Sequence, residues 1–378
     1  MQGDRETRMT VGISASRVAR TTEFDGIGVY TQSLEEALQR LGVATRRIGA
    51  ARWFRGKASG QRPSDIDFPL PIEFALAATA AIGFTMPPSA IEDLIDVYHA
   101  TDYLVPRLHR TPVVATLYDA IPLAHPEWVK PQLRGVKNWL LRSAARNAAI
   151  VIAISNSAVD EIEHYYRIPR ERIRVVFPGV DEFWFETTKS SDAQLGSLGI
   201  EPGYFLSVGT LQPRKNVESL LAAYDRLPAA VRAEHQLVIV GKYGWGAEAL
   251  RAKLITRREA KQCLWLDYVD AATLRRLYAG AKAFVFPSLA EGFGLPVLEA
   301  MAAGIPVISN DLPVLREVAL TLATFVDATN ADDLADALQR TAQMSDDSAA
   351  AAQRRARARE FTWAEAARRT LDVYREVV

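Results

Sequence analysis

Short β-branched runs alternate with amphipathic helical stretches along most of the chain, and the whole series occurs twice. Alternation of this kind builds parallel sheets covered by helices on both faces. In the first half, strands are expected at 10–13, 43–47, 94–99, 113–117, 150–153 and 173–176, with helices over 29–41, 131–147 and 156–166. In the second half, strands are expected at 204–208, 236–240, 263–265, 283–286, 306–309 and 324–326. Helices there begin near Val217, Ala247, Ala271, Pro296, Leu312 and Asp332. A stretch rich in Ser, Thr and Asp, 187–196, separates the two series as a linker. The expected class is α/β: two parallel-sheet domains, residues 1–183 and 184–360, facing across a cleft. A last amphipathic pattern, 363–377, has no strand after it, so 361–378 is expected to cross back onto the N-terminal domain.

A chain of 378 residues has room for two cores of this kind. Acidic and basic residues balance at 45 each, which removes the global field expected of a nucleic-acid binder. Cys263 is the only cysteine, so an internal disulfide and a thiolate metal cluster are both excluded. Residues 1–9 are polar rather than a signal segment, and the apolar stretch 74–87 is too short to span a bilayer. The expected location is cytoplasmic, with any membrane contact made from the surface, on the inner face. The stretch 50–71 has no periodicity and is read as a loop. Its D-I-D string, Asp65 to Asp67, resembles a metal-binding D-x-D, but with no strand pair expected around it no metal is assigned.

The chemistry concentrates in E-G-F-G-L-P-V-L-E, Glu291 to Glu299. Apolar F-V-F-P precedes it and A-M-A-A-G-I-P-V-I follows, which reads as strand, glycine turn, helix N-terminus, helix and next strand. Free backbone N–H groups at a helix N-terminus favour anions. One carboxylate before that turn and another about one turn into the helix can reach different polar groups of one ligand. The second half opens with S-V-G-T-L-Q-P-R-K-N, where Arg214 and Lys215 stand just before a helix. Positive charge is unfavourable at that end of a helix, so the pair points to a phosphate ligand. In the first half, D-G-I-G-V-Y from Asp25 to Tyr30 reads as a glycine turn before a helix. It lacks the full dinucleotide fingerprint.

With these strings in view, the chain resembles the large retaining glycosyltransferase family four, whose fold, GT-B, has two Rossmann-like domains. The resemblance is carried by G-T-L-Q-P-R-K-N, V-G-K-Y-G-W-G, A-F-V-F-P-S-L-A-E-G-F-G-L-P-V-L-E and L-R-E-V, and in the first half by G-I-G-V-Y, L-Y-D-A-I-P-L, H-P-E-W and A-I-S-N-S. It implies that residues 1–183 bind acceptor and 184–360 bind a nucleotide-diphosphate sugar. It places Glu291 by the donor sugar and Glu299 at the ribose hydroxyls. Arg214 and Lys215 would hold the diphosphate beside Gly209 and Thr210, leaving the carboxylates free for hydroxyls. Backbone of Phe293, Gly294 and Leu295 would touch the sugar, and backbone of Tyr268 and Val269 the base. Gly26, Gly28, His99, Tyr118 and Asp119 fall on the acceptor side. Asp119 joins Glu291, Arg214 and Lys215 as a candidate catalytic group, and no metal or other cofactor is implied.

One departure stands out. In T-L-Y-D, Tyr118 occupies the place of a histidine found in many members, and a phenol cannot do near-neutral proton chemistry. His99 and His125 are read as structural or acceptor-contacting. The basic run Lys130, Arg134, Lys137, Arg142 and Arg146, with Trp139, Leu140 and Leu141 between, suits either a solvated helix face or contact with an anionic membrane. The resemblance implies transfer of a hexose, mannose from GDP-mannose first, to a glycan or lipid-linked acceptor in cell-surface polysaccharide or O-antigen (lipopolysaccharide) synthesis. The alternatives are rhamnosyl or glucosyl transfer from a dTDP- or UDP-sugar, an epimerase or phosphorylase of the same architecture, and a non-catalytic nucleotide-sugar-binding partner subunit.

Overall fold

A computed structural model describes residues 9–14, 26–49, 65–67, 83, 91–129, 131–132, 134–186, 195–259, 262–345 and 347–378. Asp25, Lys130 and most of the stretches 1–9, 50–71, 74–87 and 187–196 lie outside the described residues. The chain divides into two compact units. One comprises Met1–Gly179 with Thr362–Val378, the other Val180–Phe361.

The first unit is built on a parallel sheet of seven strands: β1 (Thr10–Ser14), β2 (Ala44–Gly49), β3 (Ile66–Asp67), β4 (Val97–Ala100), β5 (Val113–Leu117), β6 (Ile150–Ala153) and β7 (Ile173–Val175). Their spatial order is β3-β2-β1-β4-β5-β6-β7, so the winding reverses between β1 and β4. Every residue of β5 is buried, as expected of a strand covered on both faces. Two sequence expectations are corrected here. The D-I-D segment is the edge strand, with Ile66 in register with Ile48. Asp65 is held to β2 by its own N–H on the Arg47 carbonyl and its carboxylate on the Arg47 N–H, both at 2.8 Å. A two-residue strand is too short to leave a period-2 signal. The helix Gly26–Arg40 also starts three residues early, which puts Gly26 and Gly28 in its first turn rather than in a turn before it.

The stretch 156–166 is an α-helix, Ser157–Glu161, that widens into a π-turn, Ile162–Tyr166. Arg167 ends it in the left-handed region at φ 57°. The C-terminal helix, Trp363–Arg375, packs against Gly26–Arg40, with the Trp363 and Tyr30 rings 5.6 Å apart. Gly179 sits under its start, where a Cβ would come within 2.1 Å of the Trp363 nitrogen. Thr362 caps the helix by accepting from the Glu365 N–H at 3.1 Å.

In the second unit, six parallel strands run β8 (Tyr204–Val208), β9 (Leu237–Val240), β10 (Leu264–Leu266), β11 (Ala281–Phe286), β12 (Val307–Asn310) and β13 (Thr324–Val326), in spatial order β10-β9-β8-β11-β12-β13. The reversal lies between β8 and β11, the position at which such sheets bind ligands. Helices Val217–Arg226, Glu248–Glu259, Ala271–Gly280, Leu295–Ala303, Pro313–Ala319 and Ala331–Gln343 start within one residue of expectation. Two helices were not expected, Ala229–Glu234 and Ser348–Ala358. The second buries only Ala358, so it carries no apolar stripe to find. The 3₁₀ turn Glu182–Phe185 belongs to this unit, where Trp184 packs edge-on to Tyr278 at 5.5 Å.

Candidate active site

Gly209 follows β8, and its N–H donates to the Val240 carbonyl at 2.9 Å. A Cβ on Gly241 would come within 1.9 Å of the Gly209 oxygen, so glycine alone permits this approach. The loop then leaves with Thr210 exposed and turns through the 3₁₀ segment Pro213–Lys215. Asn216, at φ 53° and ψ 33°, hands the chain to the helix Val217–Arg226.

Lys215 and Arg214 do not point into solvent. Lys215 Nζ lies 2.5 Å from Glu291 Oε1, and Arg214 donates to the same oxygen at 3.0 Å. Arg214 also donates to the Ala290 carbonyl at 2.9 Å, and the Leu289 N–H donates to the Arg214 carbonyl at 2.7 Å. Lys215 Nζ sits 4.8 Å over the Phe286 ring, at the end of β11. The Glu291 and Lys215 side chains are only 10% and 11% exposed. Two cations in a half-buried site need a counter-charge, and Glu291 supplies it. This differs from the expectation of free carboxylates beside occupied cations. Burial alone would raise the Glu291 carboxyl, but the Lys215 and Arg214 charges overcome it and hold it at about 2.

Past Glu291 the chain turns at Gly294, φ 103°, into the helix Leu295–Ala303. A side chain there would be strained, and its Cβ would meet Leu315 Cδ2 at 2.6 Å. Phe293 is buried edge-on to Phe361 at 5.7 Å, so its backbone rather than its ring is presented. Glu299 accepts from the Tyr278 hydroxyl at 3.0 Å. Burial pushes its carboxyl up to about 8 against the pull of that bond, with Asp181 adding to the rise. Tyr278 has no sequence signal of its own, because its partner is 21 residues away on the neighbouring helix. Tyr268 and Val269 follow β10. The Tyr268 ring is 48% exposed, with Lys242 Nζ 4.8 Å above it.

The acceptor-side candidates in the first unit separate. Tyr118 and Asp119 follow β5. The Tyr118 hydroxyl donates to the Thr101 carbonyl at 2.7 Å, and its ring packs edge-on to Tyr30 and Tyr103. Asp119 Oδ1 accepts from the Tyr103 hydroxyl at 3.2 Å and the Ile121 N–H at 3.0 Å. His99 is corrected: it is a core residue. Its Nδ1 meets the Tyr374 hydroxyl at 2.7 Å, its Nε2 meets Thr116 Oγ1 at 2.8 Å, and burial lowers it to about 3. His125 stacks on Trp128 at 4.1 Å and bonds Glu127 at 3.0 Å. Among the described residues no group of three His, Cys, Asp or Glu side chains could hold a metal ion.

Residues 24–182 match the family described as Glycosyltransferase Family 4, and residues 192–360 match Glycosyl transferases group 1. O-antigen chain mannosyltransferase B of Escherichia coli is 31% identical over 294 residues, covering 76% of each chain. The chain belongs to glycosyltransferase family 4. It is a glycosyltransferase with the GT-B fold, related to bacterial mannosyltransferases. Among solved structures, sucrose-phosphate synthase of Thermosynechococcus elongatus superposes with a TM-score of 0.74 at 20% identity, covering 98% of this chain and 99% of that one. HepE of Anabaena, solved with UDP and glucose, superposes with a TM-score of 0.67 at 16% identity, covering 97% and 99%. The paired cations and Glu291 therefore stand at the switch point of the C-terminal sheet of a glycosyltransferase.

Proposed function

We propose that this glycosyltransferase moves a hexose, mannose from GDP-mannose, to a glycan or lipid-linked acceptor in cell-surface polysaccharide synthesis, with retention at the anomeric carbon. The convergence of Lys215 and Arg214 on Glu291 between β8 and β11 carries the reading. An incoming diphosphate has the charge and fork geometry to take both cations from the carboxylate. Glu291 is then released toward the sugar, where the transition state develops positive charge. The C1–O bond to the diphosphate breaks, the acceptor oxygen bonds C1 on the same face, and the acceptor proton leaves on a phosphate oxygen. Glu299 meets the ribose hydroxyls, and backbone of Gly209, Thr210, Phe293, Gly294 and Leu295 lines the phosphates and sugar. Tyr268 and Val269 flank the base. Asp119 and Tyr118 meet the acceptor. Mannose is supported by the relatedness to O-antigen chain mannosyltransferase B, whereas the UDP in HepE supports a UDP-sugar as the second reading.

Incubation with GDP-mannose, UDP-glucose and dTDP-rhamnose, with NMR of the product anomer, tests donor and stereochemistry together. Turnover of GDP-mannose to an α-linked product is expected; inversion, or turnover of the UDP-sugar alone, overturns retention or mannose respectively. Glu291→Gln should lower turnover by about 10²–10³-fold while nucleoside diphosphate binds more tightly, since the competing carboxylate is neutral. Weaker diphosphate binding by that variant would count against the exchange of partners.

A membrane-peripheral location on the inner leaflet is part of the proposal. It is supported by Val136, Lys137 and Trp139, all exposed on the helix Arg134–Ala145. Arg134 and Arg142 contribute less, being bonded to the Pro126 and Tyr165 carbonyls. No helix among the described residues is long and apolar enough to cross a membrane. Undiminished sedimentation of Lys137→Glu/Trp139→Glu protein with anionic vesicles would remove this contact.

A further inference from the structure

Two asparagines outside the ion-paired trio meet at a single residue, Ala328, one at its carbonyl and the other at its N–H. Asn216 follows Lys215 directly, and Asn310 closes β12, next to the β11 end that leads to Glu291. Asn216 Nδ2 donates to the Ala328 carbonyl at 2.8 Å, and the Ala328 N–H donates to Asn310 Oδ1 at 3.0 Å. Asn310 Nδ2 then donates to the Ser288 carbonyl at 2.9 Å. The chain of bonds therefore runs from the residue after Lys215, through Ala328, to the loop that carries Glu291. Ala328, Asn310 and Ser288 are 0%, 7% and 1% exposed, so water cannot readily replace the two bonds of Asn310, whereas Asn216 is half-buried.

Both positions call for an amide. Asn216 occupies the left-handed region, which asparagine tolerates better than most residues. Glycine would tolerate it too but has no side chain to reach Ala328, and an aspartate could not donate to a carbonyl. Ser219 Oγ donates to Asn216 Oδ1 at 2.7 Å, which turns the amide so that its nitrogen faces Ala328. Asn310 must accept from one backbone group and donate to another, which a carboxylate cannot do.

We propose that Asn216 and Asn310 are positioning residues for the transfer reaction. Through the backbone of Ala328, held at both its carbonyl and its N–H, they set the separation between the loop of Arg214 and Lys215 and the loop of Glu291. The inference rests on the donor-site reading above. Charge-assisted bonds of 2.5–3.0 Å leave little slack between those loops. A misplacement of about 1 Å at a reacting centre can cost on the order of 10²-fold in rate.

The test uses Asn216→Asp, Asn310→Asp and Ser219→Ala in the full chain. The two aspartates replace one donor each at nearly constant volume, and Ser219→Ala only frees the Asn216 amide. Thermal melting, calorimetric titration with GDP and with UDP, and kcat and KM for the donor that the wild type turns over are measured on each. The aspartate variants should lose about tenfold or more in kcat at a temperature where they remain folded, with Ser219→Ala smaller in the same direction. Their effects should be non-additive with each other, because both act through Ala328. They should also shrink in a Glu291→Gln background, where the guarded geometry no longer matters. If Asn310→Asp does not fold, Asn216→Asp and Ser219→Ala decide the matter. Variants that melt lower yet keep wild-type kcat and KM overturn the inference and make the asparagines plain staples. A wild type that binds neither GDP nor UDP and turns over no donor overturns the donor-site reading, and this inference with it.

Discussion

At the scale of single residues, two glutamates eight positions apart have opposite electrostatics because their neighbours differ. Glu291 is held down at about 2 by two cations that outweigh its burial, whereas Glu299, buried and bonded to a phenol, is pushed up to about 8. Glu299 therefore carries a proton at neutral pH and can donate as well as accept. Between pH 4.5, the ordinary value, and about 8 the folded protein keeps a proton that the unfolded chain has lost. Its contribution to stability is full below that window and declines as pH rises through it. Glu299→Gln should flatten this part of the urea-unfolding profile; identical slopes for variant and wild type would contradict the assignment. Glu291 behaves in the opposite sense: its contribution is present above 4.5 and is lost as pH falls through about 2. The sequence pattern located both carboxylates, but it held no information on which cation would reach which one. That depended on Lys215 folding back 76 residues along the chain to its partner.

At the scale of elements, the helix Leu295–Ala303 is fixed at both ends. Gly294 starts it in a conformation that most side chains resist, with Leu315 filling the space where a Cβ would go. Gly294→Ala should cost about 1–2 kcal/mol from the backbone alone, and more as Leu315 is displaced, read as a lower denaturant midpoint with unchanged slope. An unaffected midpoint would mean that the turn relaxes to another geometry. At the far end, Arg354 and Arg355 donate to the carbonyls of Gly304 and Ala303 at 3.0 and 2.9 Å. These arginines come from Ser348–Ala358, the helix that the sequence pattern did not reveal. It is bound through guanidinium-to-carbonyl bonds rather than an apolar stripe, and periodicity reads only the latter. The edge strand Ile66–Asp67 escaped detection for a related reason, since backbone pairing to β2 defines it and side-chain pattern does not.

At the scale of the molecule, the first unit is completed by the chain's last helix. Tyr374 bonds His99 in the middle of that unit, Thr116 bonds the other ring nitrogen, and Tyr30 meets Thr116 at 3.2 Å. Tyr374→Phe would leave one nitrogen of a buried imidazole unpaired, at a cost of about 1–3 kcal/mol. Hydrogen exchange should rise in β4 and β5 and stay unchanged in β8 and β11; a uniform rise would show that the bond does not act locally. His99 also gives this unit an acid sensitivity. Burial lowers the ring from 6.5 to about 3, so stability falls as pH drops through that interval, while Glu299 in the second unit becomes more stabilising over the overlapping range.

The order of apolar runs and glycine turns was enough to determine two parallel α/β units, most of their elements and the strings around Glu291, Arg214 and Lys215. Those features are local, and local sterics and burial periodicity write them directly into sequence. Tertiary structure alone decided that His99 is core and that Glu291 pairs with both cations. It alone brought Asn216 and Asn310 to one residue, Ala328. Each of these depends on groups far apart in the chain meeting inside a low-dielectric interior, where every polar atom must find a partner that no local pattern records.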